Sequence, residues 1–208
     1  MSNIIFLDHS QGTPEWHVAR SGRFTASEFG MFVMRKDAKA IKAFENNILT
    51  KLGEMIDGED RPPNYEDYYM KRGKLLESSA LAAYENHTGN ITEKVGLAIH
   101  ESLPLGFSAD AMVNERAFGL ELKCPCAKVQ ILRIKEAVLP DEYACQVHGS
   151  MFLADAPHWD FFSWHPKVPS FYIRVYREKF TEELGKGLLA FGQELAARKA
   201  EIEALMAA

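Results

Sequence analysis

Asp110, Glu121 and Lys123 have residue types and a spacing that could do chemistry. The last two lie in GLELKCP, an otherwise apolar segment in which ionised groups are costly to bury unless they are paired or bound to a metal. If 105–114 and 118–124 are antiparallel strands that reverse around Glu115 and Arg116, the register sets Asp110 opposite Glu121. Directly paired side chains share a face with Cβ atoms about 4.5–5.5 Å apart. Two carboxylates held that way repel unless a cation lies between them, and a divalent ion with metal–oxygen distances of about 2.1 Å fits. Lys123 emerges on the same face about 6.6 Å further along the strand, where it can touch a water or phosphate on the ion. These are the parts of metal-assisted hydrolysis. For the three residues taken alone, a solvated strand edge carrying a surface ion pair is the competing reading.

The elements that must position them are legible in outline. Thr25-Ala-Ser-Glu28 has the form of a capping box and predicts a helix running into Phe29. Ile41, Phe44, Ile48, Leu52 and Met55 recur at helical spacing until DGEDRPPN breaks the pattern. A third helix is expected over 65–87, closed by Gly89 and carrying Glu77. From 91 onward the texture changes to strands, over 91–100, 105–114 and 118–124. Helices follow over 127–138 and 141–154, then the aromatic and β-branched strands HWDFFSWH and SFYIRVYRE, then a terminal helix from Thr181.

The gross numbers agree with one domain. The chain has 208 residues, 47% hydrophobic and 25% charged, enough to bury about 70% of its unfolded surface, and no linker divides it, so 1–208 is read as a single α/β domain. It shows no bilayer-length apolar run and no secretory leader, so a cytoplasmic protein is expected. A net charge of −5 argues against a protein that coats nucleic acid non-specifically, though it leaves room for a local basic channel. Cys124, Cys126 and Cys145 are an odd number in a reducing compartment, which disfavours disulfides. With His148 they could form a Cys₃His zinc set, but the spacing is not that of a zinc finger, and small core residues are the better reading. An iron–sulfur cluster normally needs a fourth cysteine.

Asp110 followed by Glu-x-Lys on the neighbouring strand resembles the core of the PD-(D/E)XK nucleases, whose restriction-endonuclease-like fold has a central mixed β-sheet flanked by helices. Four ordered blocks sharpen this: EWHVARSGRFTASEFG, RGKLLESSALAAYENHTG, GFSADAMVNERAFGLELKCP and YACQVHGSMFLADAPHWDFFSW. They resemble the successive motifs of the lambda exonuclease family, the phage recombination or alkaline exonucleases. Two departures stand out. The family's Pro-Asp-Gly is Ala109-Asp110-Ala111 here, and its Gln-Val-Gln is Gln146-Val147-His148.

The resemblance implies a metal-dependent 5′→3′ exonuclease that acts on double-stranded DNA ends and leaves 3′ single-stranded overhangs for recombination by strand annealing. It implies that Asp110, Glu121 and the Leu122 carbonyl hold the catalytic metal, with Glu77 bound directly or through water. Lys123 would orient or deprotonate the attacking water, and Gln146 would position that water or Lys123. One or two Mg²⁺ ions are expected, with Mn²⁺ as a substitute. Arg20, Ser27 and Ser108 fall where the family builds a pocket for the 5′-terminal phosphate; an arginine fork and a helix start suit that ligand. Arg35, Lys36, Tyr65, Tyr68 and Tyr69 are candidates for handling DNA, the tyrosines by stacking or strand splitting, with ordinary packing an equal alternative. A ring-shaped homotrimer threaded by DNA and a phage single-strand annealing protein are the implied partners. An endonuclease of the same fold and a non-catalytic DNA-binding module remain the alternatives.

Overall fold

The computed structural model describes residues 3–33, 38–58 and 68–207. The strands, in chain order, are β1 (Ile4–Leu7), β2 (Phe24–Thr25), β3 (Thr92–Glu93), β4 (Leu97–His100), β5 (Leu105–Phe107), β6 (Ala111–Val113), β7 (Phe118–Lys123), β8 (His158–His165) and β9 (Val168–Tyr176). They form a four-stranded sheet in the order β1-β4-β5-β2 and a five-stranded sheet in the order β3-β6-β7-β8-β9. The β2·β5 and β7·β8 pairs are parallel and the others antiparallel, so both sheets are mixed. The flanking helices are α1 (Pro14–Arg20), α2 (Phe29–Val33), α3 (Ala38–Asp57), α4 (Tyr68–Thr88), α5 (Ala127–Glu136), α6 (Asp141–Leu153) and α7 (Lys179–Met206).

The β6–β7 hairpin has the expected register: Ala111 faces Leu120, Met112 faces Gly119 and Val113 faces Phe118. Extended by one position, the same register brings Asp110 to Glu121. Its main-chain N–H donates to the Leu120 carbonyl at 3.2 Å. Ala111 is fully buried and opens β6 in regular pairing, so the hairpin closes without the family's proline and glycine.

The expected strands over 91–100 and 105–114 are each split in two, and each half joins a different sheet. The breaks fall at residues 94–96 and 108–110. A Cβ on Gly96 would lie 1.8 Å from the His9 carbonyl oxygen, so only glycine lets the chain pass that close to another backbone. At the second break the Trp16 indole donates to the Ser108 hydroxyl at 3.3 Å, and the Asp110 carboxylate accepts the Leu122 N–H at 2.6 Å. Around the second break β5 and β6 are both buried, so the apolar pattern runs on and hides it; at the first, Thr92 and Glu93 are half-buried and exposed, and burial begins only at Gly96. The first half of the chain, which reads as helical up to residue 91, also supplies β1 and β2. The predicted helix at Thr25 begins as a 3₁₀ turn over Ala26–Glu28 before α2, with Glu28 accepting the Thr25 main-chain N–H and hydroxyl at 3.0 Å each.

Helix α4 is pinned to the five-stranded sheet by a buried charge. Asp160 of β8, fully buried, accepts from the hydroxyls of Tyr84 (2.7 Å) and Tyr172 (3.1 Å) and from both ends of the Arg174 fork (2.8 and 3.0 Å). Buried carboxylates persist when satisfied in this way. Glu77 precedes Tyr84 by two helical turns, on the stripe that carries the buried Ala80 and Leu81. Anchoring Tyr84 therefore aims Glu77 at the sheet.

Gly119 faces Trp159 across the β7–β8 ladder, and a Cβ there would sit 2.1 Å from the buried indole. Gly119→Ala should destabilise the protein by about 1–3 kcal/mol or more through overpacking. Urea unfolding checks this; an unchanged midpoint would show that the ring yields.

Candidate active site

Strand β7 is buried along its whole length except for Lys123 at its end. Phe118, Leu120 and Leu122 take one face; Gly119, Glu121 and Lys123 take the other. The Glu121 side chain is only 4% exposed, and its Oε1 pairs with the Lys123 ammonium. Both Glu121 oxygens also accept the Gln146 side-chain amide at 2.8 Å. Gln146 thus holds Glu121 itself, where the sequence reading placed it on water or Lys123. One turn earlier on α6, the Tyr143 ring lies 5.0 Å from the Lys123 ammonium. Residues three apart on a helix are neighbours, so α6 meets Glu121 and Lys123 with two side chains at once.

Asp110 completes the group. Burial pushes its carboxyl above the ordinary carboxylate range; Lys123 and the Leu122 N–H pull it back, and the charge of Glu77 pushes it up again. Burial likewise raises Glu121 to about 7, with Lys123 opposing the rise and Asp110 adding to it. For Lys123, burial alone would favour the neutral amine, but Glu121 and Asp110 outweigh it and hold the ammonium charged. Glu77 is bound by Lys94 at 2.6 Å. Lys94 lies in the break between β3 and β4, so both interruptions of the sheets open onto this one group.

The cluster is therefore three carboxylates, two ammonium groups and one amide, with oxygen as the only donor a metal would meet. Among the described residues, no three His, Cys, Asp or Glu side chains stand close enough to hold an ion as they now point, and Lys123 and Lys94 are paired with Glu121 and Glu77. The oxygen donors nonetheless suit a hard divalent cation, and two buried acids held above their ordinary values are short of positive charge.

Arg20, Ser27 and Ser108 are linked through two further side chains. Arg20 donates to the Thr25 hydroxyl at 2.9 Å, which lies 3.5 Å from that of Ser27. On its other side the guanidinium sits 5.6 Å from the Trp16 ring, whose N–H reaches Ser108. Glu28, 3.7 Å from Arg20, is in turn held by Asn47 and Lys51 of α3. Arg35, Lys36 and Tyr65 lie outside the described residues, and of Tyr68 and Tyr69 only the helical backbone is described. The three cysteines are free thiols. His148 turns away from the acids to the Thr181 hydroxyl of α7 at 2.7 Å.

Sequence reasoning missed Trp16, Lys94 and Tyr143. The position of Tyr143 three residues before Gln146 could have exposed it, but Lys94, in an irregular stretch, carries no periodic signal.

Residues 15–157 match the family model of the YqaJ-like viral recombinase domain. No curated protein matches the chain significantly. Among solved structures it is similar to the alkaline exonuclease LHK-Exo from Laribacter hongkongensis, at 29% identity and a TM-score of 0.79 over 94% of this chain and 98% of that one. LHK-Exo in complex with dAMP gives 29% identity and a TM-score of 0.78 over the same shares. A phage-related exonuclease from Haemophilus somnus 129PT shares the fold at 14% identity and a TM-score of 0.59, over 88% of this chain and 96% of that one.

An acid whose folded pKa lies above its unfolded value binds more protons when folded, so its contribution to stability falls as pH rises between the two values. For Glu121 that window runs from its ordinary 4.5 to about 7. Thermal melts in EDTA should show wild type losing stability relative to Glu121→Gln as pH rises from 4.5 to about 7. A difference that stays flat with pH would contradict the raised value.

Proposed function

The chain belongs to the YqaJ-like viral recombinase family, a lambda-exonuclease-like group, and from that premise we propose that it is a metal-dependent 5′→3′ exonuclease acting on double-stranded DNA ends. Its products would be 5′ mononucleotides and a 3′ single-stranded overhang suited to strand annealing. The observation that carries this reading is the buried Asp110–Glu121 pair with Lys123 and Gln146 upon it. LHK-Exo has a solved complex with dAMP, a mononucleotide of the class expected here as product.

Asp110, Glu121 and the Leu122 main-chain carbonyl would hold the metal, with Glu77 as a further oxygen donor; Mg²⁺ suits such a set and Mn²⁺ can replace it. When bound, one or two such ions supply a lowered pKa for the attacking water and charge to stabilise the leaving oxygen. Gln146 fixes the orientation of Glu121 by occupying both of its oxygens from one side. Lys123 leaves Glu121 to orient the water and steady the scissile phosphate, with the Tyr143 ring as its other contact. Lys94 must likewise release Glu77.

Arg20, Ser27 and Ser108 would receive the 5′-terminal phosphate. Ser108 lies two residues before Asp110, so a phosphate held there stands at a set distance from the scissile one. That fixed spacing would give the enzyme its direction. The same reading extends to a ring-shaped homotrimer threaded by DNA and to a phage single-strand annealing protein as partner.

Linear and covalently closed duplexes test the activity. With Mg²⁺ the linear substrate should be degraded from its 5′ ends and the closed circle spared; cutting of the circle would instead make the protein an endonuclease. Asp110→Ala and Glu121→Ala should each leave less than about a tenth of wild-type hydrolysis while DNA binding stays measurable, because each removes an oxygen that the chemistry needs.

Arg20→Ala should slow digestion of 5′-phosphorylated duplex and nearly erase its advantage over 5′-hydroxyl duplex. A mutant that prefers phosphorylated ends as strongly as wild type would remove Arg20 from the pocket.

A further inference from the structure

Arg72 has no part in the site described so far, yet it stands at that site's edge. It lies on α4, five residues before Glu77, and its Nη1 donates to two successive carbonyls just past Lys123: Cys124 at 2.6 Å and Pro125 at 2.8 Å. Both bonds use a single nitrogen. A guanidinium has five N–H donors in a planar fork, and among the described residues no further partner engages Nε or Nη2. The group is half-buried, so one edge is fixed by main chain while the fork stays within reach of solvent.

The neighbouring strand ends at the same place. Strand β8 runs parallel to β7 with Lys123 opposite Ser163, so His165 lies just beyond the end of β7, where Arg72 is anchored. The Lys167 N–H donates to His165 Nδ1 at 3.1 Å, which leaves the proton of the neutral ring on Nε2, as a donor. Burial and then the charges of Arg72 and Lys167 lower the pKa of His165, which places all three in one electrostatic neighbourhood. Lys167 is exposed in the β8–β9 turn. Two cations and a neutral N–H donor at the rim beside Lys123 are arranged for an anion with several oxygens.

The geometry points to a second phosphate subsite: Arg72, with His165 and Lys167, binds a backbone phosphate of the DNA beside the scissile one, across the Lys123 end of β7. This rests on the nuclease reading and adds to it a contact outside the 5′-phosphate pocket. The anchoring carbonyls hold the arginine fork in place before DNA arrives, so little side-chain freedom is lost on binding.

A phosphate contact and a mere clamp on β7 differ in salt dependence. Each phosphate neutralised by a cation contributes about 0.9 to the slope of log affinity against log salt on duplex DNA. Binding of a 5′-phosphorylated duplex, followed by fluorescence anisotropy in EDTA between 50 and 200 mM salt, reads this slope without hydrolysis. Arg72→Gln keeps an amide that can donate to the two carbonyls but removes the charge; it should flatten the slope measurably, by up to about 0.9, and weaken binding several-fold at low salt. Arg72→Lys should keep the wild-type slope. Lys167→Ala, at an exposed turn where folding is not at stake, should flatten the slope in the same way and decides the matter if Arg72→Gln melts early. Wild-type slopes in both Arg72→Gln and Lys167→Ala would overturn the subsite and leave Arg72 as a clamp. Failure of the nuclease reading looks different: wild type itself would leave linear duplex undigested in Mg²⁺.

Discussion

Two carboxylates facing one another on a buried strand pair set the terms for this structure. Asp110 and Glu121 are brought together by the β6–β7 register and taken out of water, where each is harder to ionise and each repels the other. Positive charge must be supplied at close range. Lys123 provides it from two residues along the same face, and Lys94 meets the third acid, Glu77, from the break between β3 and β4. The two lysines thus hold in place acids whose oxygens would suit a hard divalent cation.

Much of the surrounding architecture serves to hold that arrangement. Two segments of the chain cross between the sheets, one at 94–96 and one at 108–110, so Asp110 and Lys94 stand where regular pairing stops. Helix α4 is secured by the buried Asp160 network two turns from Glu77, and α6 presents Tyr143 and Gln146 at the spacing of Lys123 and Glu121. The chain of contacts from Ser27 to Ser108 ties the turn before α2 to a residue two positions before Asp110. Terminal-phosphate recognition and hydrolysis would thus share one rigid support.

The two departures from the family pattern are absorbed locally. Ala109 and Ala111 are buried and leave the hairpin pairing regular, so neither a fixed proline φ nor a glycine was needed at that turn of the chain. His148 is two residues from Gln146, and on a helix that spacing points to a different side. It closes onto Thr181 at the start of α7 and has no bearing on the acids.

The sequence by itself determined the part of the site that lies on one hairpin. The turn around Glu115 and Arg116 fixes which residues face each other, and strand periodicity then places Asp110, Glu121 and Lys123 on one face with no knowledge of the rest of the chain. The helices around 41–55, 68–88, 127–136 and 141–153 were legible for the same reason: their signals are local spacing and local stops. Only the tertiary structure decided the division into two sheets, because β5 and β6 are both buried on either side of 108–110 and nothing local marks the change of sheet. It alone brought Lys94 to Glu77, Trp16 to Ser108 and Arg72 to the end of β7, contacts between residues 17, 92 and 52 positions apart. No periodicity encodes such pairs; they exist because burying the apolar faces of separate elements leaves their polar side chains nowhere else to meet.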